Sequence, residues 1–316
     1  MSFTAKIPRT WIVGLDFSEM DKPLLEYVRE LADRLAPERI YFFHAQRDLE
    51  LPGKVREKLP ELQGPMDDRL REGMRTSVSL SFPDADRYGA SYLVAEGRPE
   101  RSFLHWADVK GADLIIMGRK KKAVGGVLPK RVARRAKASV LFVPPRAGFN
   151  LKRVMIPVDF SASSAPALHL ADKLRDELPR TEEEALSLTC FHACRLPSRV
   201  YYDGLAGSDL VDLMKDASVE RMEELLEDAG VKDCEVEVDP TARFGPTHSI
   251  ARRAVESEYD LVLISGSGKS GFVGTLIGST TEGMLQELDS IPVWVVKPSR
   301  NFSSTGKERS RQAQSA

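Results

Sequence analysis

Gly268, then nine residues, then Gly278-Ser279 frame the segment of this chain best equipped for chemistry. The apolar run Leu261-Val-Leu-Ile264 leads into Ser265-Gly266-Ser267-Gly268-Lys269, and a helix is expected from about Ser279. A strand that breaks into a glycine-rich loop before a helix N-terminus is suited to holding an anion such as phosphate. Glycine lets the backbone come close, and unpaired N–H groups at the positive helix end face the charge. The loop is not a P-loop, because one ending at Gly268-Lys269-Ser270 would need glycine at Leu263. Asp159, in Met155-Ile-Pro-Val-Asp159-Phe-Ser161, is expected to close another strand. In doubly wound sheets ligands sit beyond the strand C-termini where strand order reverses, so Asp159 and Ser265 to Gly268 should open on one crevice.

The other reactive residues carry less. Cys190-Phe-His192-Ala-Cys194 places three side chains on one face of a strand. Its two cysteines would then be about 13 Å apart at Cα, too far for a disulfide or for one zinc. Either cysteine with His192 supplies two ligands at most, so no metal site is expected. His44 fills the equivalent place in the first half without cysteines, which favours a structural role for both histidines. Cys234 reads as part of a polar turn without a partner. No Gly-x-Ser-x-Gly elbow with a following triad order is present, and no catalytic residues are assigned. His105, His169 and His248 are scattered over helical segments. Arg119-Lys120-Lys121-Lys122, with Lys130-Arg131, Arg134-Arg135 and Lys137, reads as a solvated loop and an exposed helical face rather than a site for an acidic partner. No aromatic residues interleave with these charges for base stacking, so nucleic acid is not an expected partner.

The elements that would position these residues occur twice. Ile12-Val-Gly-Leu-Asp16-Phe-Ser18 recurs as Met155 to Ser161, and each copy has a proline seven residues after its aspartate, at Pro23 and Pro166. Phe43-His44-Ala45 recurs as Phe191-His192-Ala193. Pro99 to Asp113 and Pro246 to Asp260 are both fourteen-residue steps, and each aspartate opens an apolar strand. Each half ends in a β-rich run before or near proline, Val140–Val143 or Val293–Val296. A repeat of about 145 residues is far longer than a solenoid unit and has the size of one domain. Strands alternating with helical segments favour a parallel sheet in each copy.

Both halves resemble the universal stress protein family, whose pattern is a first strand ending in aspartate and, later, Gly-x2-Gly-x9-Gly-Ser/Thr before a helix and a last strand. The second half carries Gly268, Gly278 and Ser279 at that spacing, with Ser265 in place of the first glycine. The first half keeps Asp16 and Gly118 but continues Arg119-Lys-Lys-Lys122, and its shorter loop puts Gly126-Val127 where Gly-Ser belongs. The resemblance covers roughly residues 8–145 and 151–298. It implies two tandem doubly wound α/β domains, each a mostly parallel five-stranded sheet with helices on both faces, arranged as a pseudo-two-fold pair. It further implies ATP, or AMP or ADP, in the second half, with Mg²⁺ as a companion of the nucleotide. Asp159 would contact the adenosine part, the backbone around Ala193 would edge the adenine, and Gly268, Gly278 and Ser279 would hold the phosphates. Ser265, Gly266, Lys269 and Thr280 complete the expected set. Lys121 and Val127 would put side chains where backbone should meet phosphate, so the first-half site is expected to be closed or remodelled. The implied role is regulatory. A nucleotide-free interaction module and a slow ATPase using the same site are the alternatives.

Composition sets wider bounds. With 316 residues and 42% hydrophobic content the chain can bury two ordinary cores. A net charge of −1 gives no drive toward nucleic acid or anionic membranes. No apolar run approaches a membrane span, and the N-terminus lacks a long apolar signal core. Three cysteines, an odd number, fit a reducing cytoplasm. Pro144-Pro-Arg-Ala-Gly-Phe-Asn-Leu-Lys152 reads as a connector, giving expected domains over 1–147 and 148–300 and a polar, disordered tail over 301–316. The two terminal strands are expected side by side and antiparallel within one chain, as a monomeric pseudo-dimer or a homodimer of such units with an unknown protein partner.

Overall fold

The computed structural model describes residues 6–47, 66–120, 127–178, 185–194, 208–240, 244–266 and 278–298. The first half contains strands β1 (Thr10–Gly14), β2 (Arg39–Gln46), β3 (Ser91–Glu96), β4 (Leu114–Gly118) and β5 (Ser139–Val143), with helices α1 (Asp21–Leu35), α2 (Met66–Ser81), α3 (Pro99–Val109) and α4 (Val127–Arg135). The second half repeats the order as β6 (Arg153–Pro157), β7 (Ser187–Ala193), β8 (Cys234–Asp239), β9 (Leu261–Ser265) and β10 (Val293–Val296), with α5 (Ala165–Glu177), α6 (Ser208–Ala229), α7 (Pro246–Glu256) and α8 (Ser279–Glu287).

Local sequence explains the elements. Leu24, Leu25, Val28, Leu31, Ala32 and Leu35 recur at helical spacing and form the buried face of α1. That helix stops where Ala36 turns left-handed and its N–H returns to the Ala32 carbonyl. Pro99 and Pro246 occupy the start of α3 and α7, where a missing N–H costs nothing. Leu114 to Met117 and Leu261 to Ile264 are buried throughout, as parallel strands covered on both faces require. The repeated fourteen-residue step has a physical reason. Asp113 Oδ2 accepts the N–H groups of Arg9 and Thr10 at 3.3 and 3.1 Å, and Asp260 Oδ2 accepts those of Lys152 and Arg153 at 3.0 and 2.8 Å. Each aspartate thus anchors the start of the first strand of its half beside the fourth.

The strands form one ten-stranded sheet in the order β3-β2-β1-β4-β5-β10-β9-β6-β7-β8. Every pairing within a half is parallel. The seam is antiparallel, with Val293, Trp294 and Val295 opposite Phe142, Leu141 and Val140. The terminal strands therefore lie as expected. Both cores continue through the seam: one face joins Trp11, Leu141, Trp294 and Val154, and the other joins Ile12, Val140, Val295 and Met155.

Four expectations need correction. Asp16 and Asp159 do not close their strands but lie two residues beyond Gly14 and Pro157, because the chain turns there to bring Phe17 and Phe160 to φ 56°. Ser218 to Ala229 reads in the sequence as a charged amphipathic helix, but α6 begins ten residues earlier, at Ser208, and α2 lies in the corresponding segment of the first half. Cys234 is the first residue of β8, with its Sγ 2.9 Å from that of Cys190. Of the basic residues, Arg131, Arg134, Arg135 and Lys137 are exposed as expected but paired, whereas Arg119 is buried rather than part of a solvated loop. Arg134 and Lys130 pair with Glu282 of the other half at 2.6 and 3.7 Å, Arg131 and Arg135 with Glu100 at 3.5 and 2.9 Å, and Lys137 with Asp108 at 2.8 Å. Lys121, Lys122 and the tail over 301–316 lie outside the described residues. No helix among the described residues is long and apolar enough to cross a membrane.

Candidate functional site

The order of strands reverses between β6 and β9, and a cleft of about 770 Å³ opens beyond their C-terminal ends. Asp159, Ala193, Ser265, Gly278, Ser279 and Thr280 all line it. Gly266 is placed elsewhere: its N–H bonds the Val296 carbonyl at 2.8 Å, and an added Cβ would meet the Lys297 side chain at 2.9 Å. Gly268 and Lys269 lie outside the described residues.

A tight turn presents Asp159. Its Oδ1 accepts the Ser161 N–H and hydroxyl at 3.0 and 2.6 Å and the Ser164 hydroxyl at 3.1 Å. No hydrogen bond reaches Oδ2 from the described residues, so one carboxylate oxygen is fixed and the other remains to accept from a ligand. The turn bends through Phe160, whose left-handed backbone is uncommon for a bulky residue. His192 steadies it. Its Nδ1 is 2.8 Å from the Val158 carbonyl, which can only accept, so Nδ1 carries the proton, and the imidazole lies 4.2 Å from the Phe160 ring. His44 does the same with the Leu15 carbonyl at 2.9 Å and the Phe17 ring at 4.6 Å. The repeated histidine thus supports the same turn in both halves.

The opposite wall is the start of α8. Gly278 caps the helix with extended backbone, and the first helical bond runs from the Glu282 N–H to the Gly278 carbonyl. The N–H groups of Ser279, Thr280 and Thr281 therefore lack intrahelical acceptors, leaving a positive end suited to an anion. Thr281 Oγ1 ties this end to the Ser265 carbonyl at 3.3 Å. Carboxylate and helix end together offer a hydroxyl or amino acceptor on one side and an anion cradle on the other.

A family model for the universal stress protein family matches residues 9–144 and, separately, 150–297. The chain belongs to the universal stress protein family. A universal stress protein from Archaeoglobus fulgidus DSM 4304 is similar in fold, with a TM-score of 0.59 at 18% identity, covering 92% of this chain and 99% of that one. So is a protein of Pseudomonas aeruginosa PAO1 described as functionally unknown, with a TM-score of 0.57 at 16% identity, covering 96% and 98%. A putative universal stress protein from Pseudomonas aeruginosa UCBPP-PA14 gives 0.55 at 17% identity, covering 92% and 94%. No curated protein matches the chain.

In this universal stress protein the corresponding cleft of the first half is only about 310 Å³. Three side chains occupy the region. Met20 lies over Gly118 so closely that an added Cβ would be 2.5 Å from its Cγ. The buried Asp21 carboxylate accepts the N–H groups of Asp16 and Phe17 at 3.1 and 2.7 Å. Burial raises its pKa, and the nearby Asp16 charge adds to this. Lys120 Nζ takes Asp16 Oδ2 at 2.7 Å. Burial alone would raise the Asp16 pKa, but the hydrogen bonds from Lys120 and Ser18 outweigh it and hold the carboxyl below its ordinary value. The second-half turn carries Ser163 and Ser164 where the first carries Met20 and Asp21.

Sequence reasoning missed two parts of the site. One is this Met-Asp against Ser-Ser contrast, which is visible once the repeats are aligned from Asp16 and Asp159. The other is α6, which brings Met214, Ser218 and Arg221 to the second cleft, with the Arg221 guanidinium 4.8 Å from the centre of the Phe160 ring. That helix lies in a segment with no counterpart motif, so no spacing pointed to its place at the cleft.

Proposed function

We propose that the second half binds an adenine nucleotide, ATP first among them, and that occupancy of this one cleft biases a protein surface in a regulatory role. The observation that carries the reading is Asp159, with Oδ1 held by its own turn, facing across one cleft the start of α8. Asp159 would accept from the adenosine part. The N–H groups after Gly278 and the Ser279 hydroxyl would meet phosphate, with Gly268 and Lys269 expected to join from the loop. Ala193 lies on the wall where the family resemblance puts adenine. A cleft of about 770 Å³ fits a ligand of nucleotide size, since small-molecule sites run to about 300–1,000 Å³. Among the described residues no cluster of three metal-ligating side chains exists, so Mg²⁺ would enter with the phosphates. Three free thiols suit a reducing cytoplasm.

The test is calorimetric titration of the full chain with ATP, alongside nucleotide extraction from the denatured purified protein. Binding that is lost in Asp159→Ala supports the reading. No binding and no extracted nucleotide would leave a nucleotide-free interaction module, and steady turnover of Mg²⁺-ATP would make the chain an ATPase.

A further inference from the structure

We propose that Cys190 and Cys234 form an oxidisable dithiol, a modification site at which a hydroperoxide converts two thiols into a β7–β8 disulfide. The two sulfurs lie 2.9 Å apart, and the third cysteine, Cys194, is on the cleft wall. Their placement follows from register. Cys234 stands opposite Leu188 and Val236 opposite Cys190, so the pair is a diagonal neighbour on adjacent parallel strands. Diagonal neighbours are roughly 7–8 Å apart at Cα, whereas a disulfide spans about 4.4–6.8 Å. Closing the bond therefore asks one strand to move by roughly an ångström. The strand that can yield is β8. It is the outermost strand, bonded on one side only, and Cys234 is its first residue, just after Asp233 at φ 49°. Cys190 is fully buried in the middle of β7 and stays fixed.

The two thiols differ in environment. Cys234 is partly exposed, and the Cys190 thiol and the nearby Arg175 charge favour its thiolate. Cys190, bonded to that sulfur and buried, is held as the thiol. The thiolate is the nucleophile in such chemistry. Cys234 sulfur attacks a peroxide oxygen of ROOH: the O–O bond breaks, ROH leaves after taking a proton, and Cys234 becomes a sulfenic acid. Cys190 sulfur then attacks the Cys234 sulfur, the S–O bond breaks, and the Cys190 proton departs with the hydroxide as water. Two thiols and ROOH give a disulfide, ROH and H2O. Such a bond in a reducing compartment is transient and redox-sensing.

The experiment treats the reduced full-length chain with hydrogen peroxide and counts thiols in denaturant with Ellman's reagent. The count should fall from three to one, and dithiothreitol should restore it. Non-reducing peptide mapping should show the peptide carrying Cys190 joined to that carrying Cys234, two hydrogens lighter than their sum. Cys194→Ser should fall from two thiols to none, which assigns the bond to Cys190, while Cys234→Ser should keep both of its thiols at the same peroxide dose. Retention of three thiols in the natural sequence would overturn the proposal. So would sulfinic acid at Cys234 without the bridge, or a cross-link between two chains.

Discussion

Arg119 and Leu285 belong to different halves of the chain, and Arg119 Nη1 donates to the Leu285 carbonyl at 2.6 Å across the seam. The last carbonyls of α8 have no intrahelical donors, and a cation there also complements the helix dipole. Burial pushes the Arg119 pKa down to about 10, with Asp289 partly restoring it, so the group remains charged at neutral pH. The helix whose start faces the second-half cleft is thus gripped near its end by the other half, and at Glu282 by Lys130 and Arg134.

Arg119→Ala should destabilise the chain by about 1–2 kcal/mol, the range of a hydrogen bond from a charged donor, less what is regained by removing a buried cation whose Nε and Nη2 have no partner among the described residues. Urea unfolding measures it. An unchanged midpoint would show that the contact does not hold α8.

Glu282 supplies a pH test. The hydrogen bond from Arg134, opposed by some burial and aided by Lys130, lowers its carboxyl pKa below the ordinary 4.5. A depressed folded-state pKa contributes stability that is present above the unfolded value and is lost as pH falls through the folded one. The stability difference between the natural chain and Glu282→Gln should therefore be full near neutrality and shrink below about pH 4.5. Unfolding curves at several pH values check this. The pair is partly exposed, so the difference should stay within about 1 kcal/mol.

Gly278 has extended backbone, φ −61° and ψ 148°, which valine also adopts. Gly278→Val should therefore fold normally and abolish ATP binding by filling the space before α8. Ser279→Ala should weaken binding by about 1–2 kcal/mol, one hydrogen bond to a charged group. Calorimetry with both variants tests the assignment, and unchanged affinity in Gly278→Val would remove phosphate from this helix end.

Met20, Asp21 and Lys120 occupy the first cleft, so a titration should give one ATP per chain. Asp16→Ala should leave that stoichiometry intact while Asp159→Ala abolishes it. Two equivalent sites would mean that the first cleft opens.

Val295 is fully buried opposite Val140 in the seam. Val295→Lys puts a charge there with no described partner, a change expected to cost several kcal/mol. Thermal melting and limited proteolysis between the halves should show the loss, and an unaltered melting temperature would contradict the buried seam.

The repeat made most of the fold legible, because its landmarks are physical anchors. Asp113 and Asp260 bind strand starts, Pro99 and Pro246 open helices, and the apolar terminal strands meet. That Asp159, Gly278 and Ser279 share one cleft was legible from the strand-end position of Asp159 and the family-like spacing of the loop. Residues whose role depends on register or on packing between distant segments were not. Nothing in the spacing of Cys190 and Cys234 says that β7 and β8 align two residues out of step. Arg119 looked like one more basic loop residue because its partner lies 166 positions away. Gly266 looked like part of the phosphate loop, but its missing side chain makes room for Lys297, whose own pKa burial lowers.

The antiparallel seam between β5 and β10 has a consequence for how the chain can diverge. Two identical subunits meeting about an axis must present every substitution twice, once on each side. Here each side is a separate stretch of one polypeptide, so Arg119 stands on one side and Gly266 at the matching position on the other. Dilution does not undo the pairing, since the partner is always tethered. One half is thereby free to lose a binding cleft and become the fixed support of its twin.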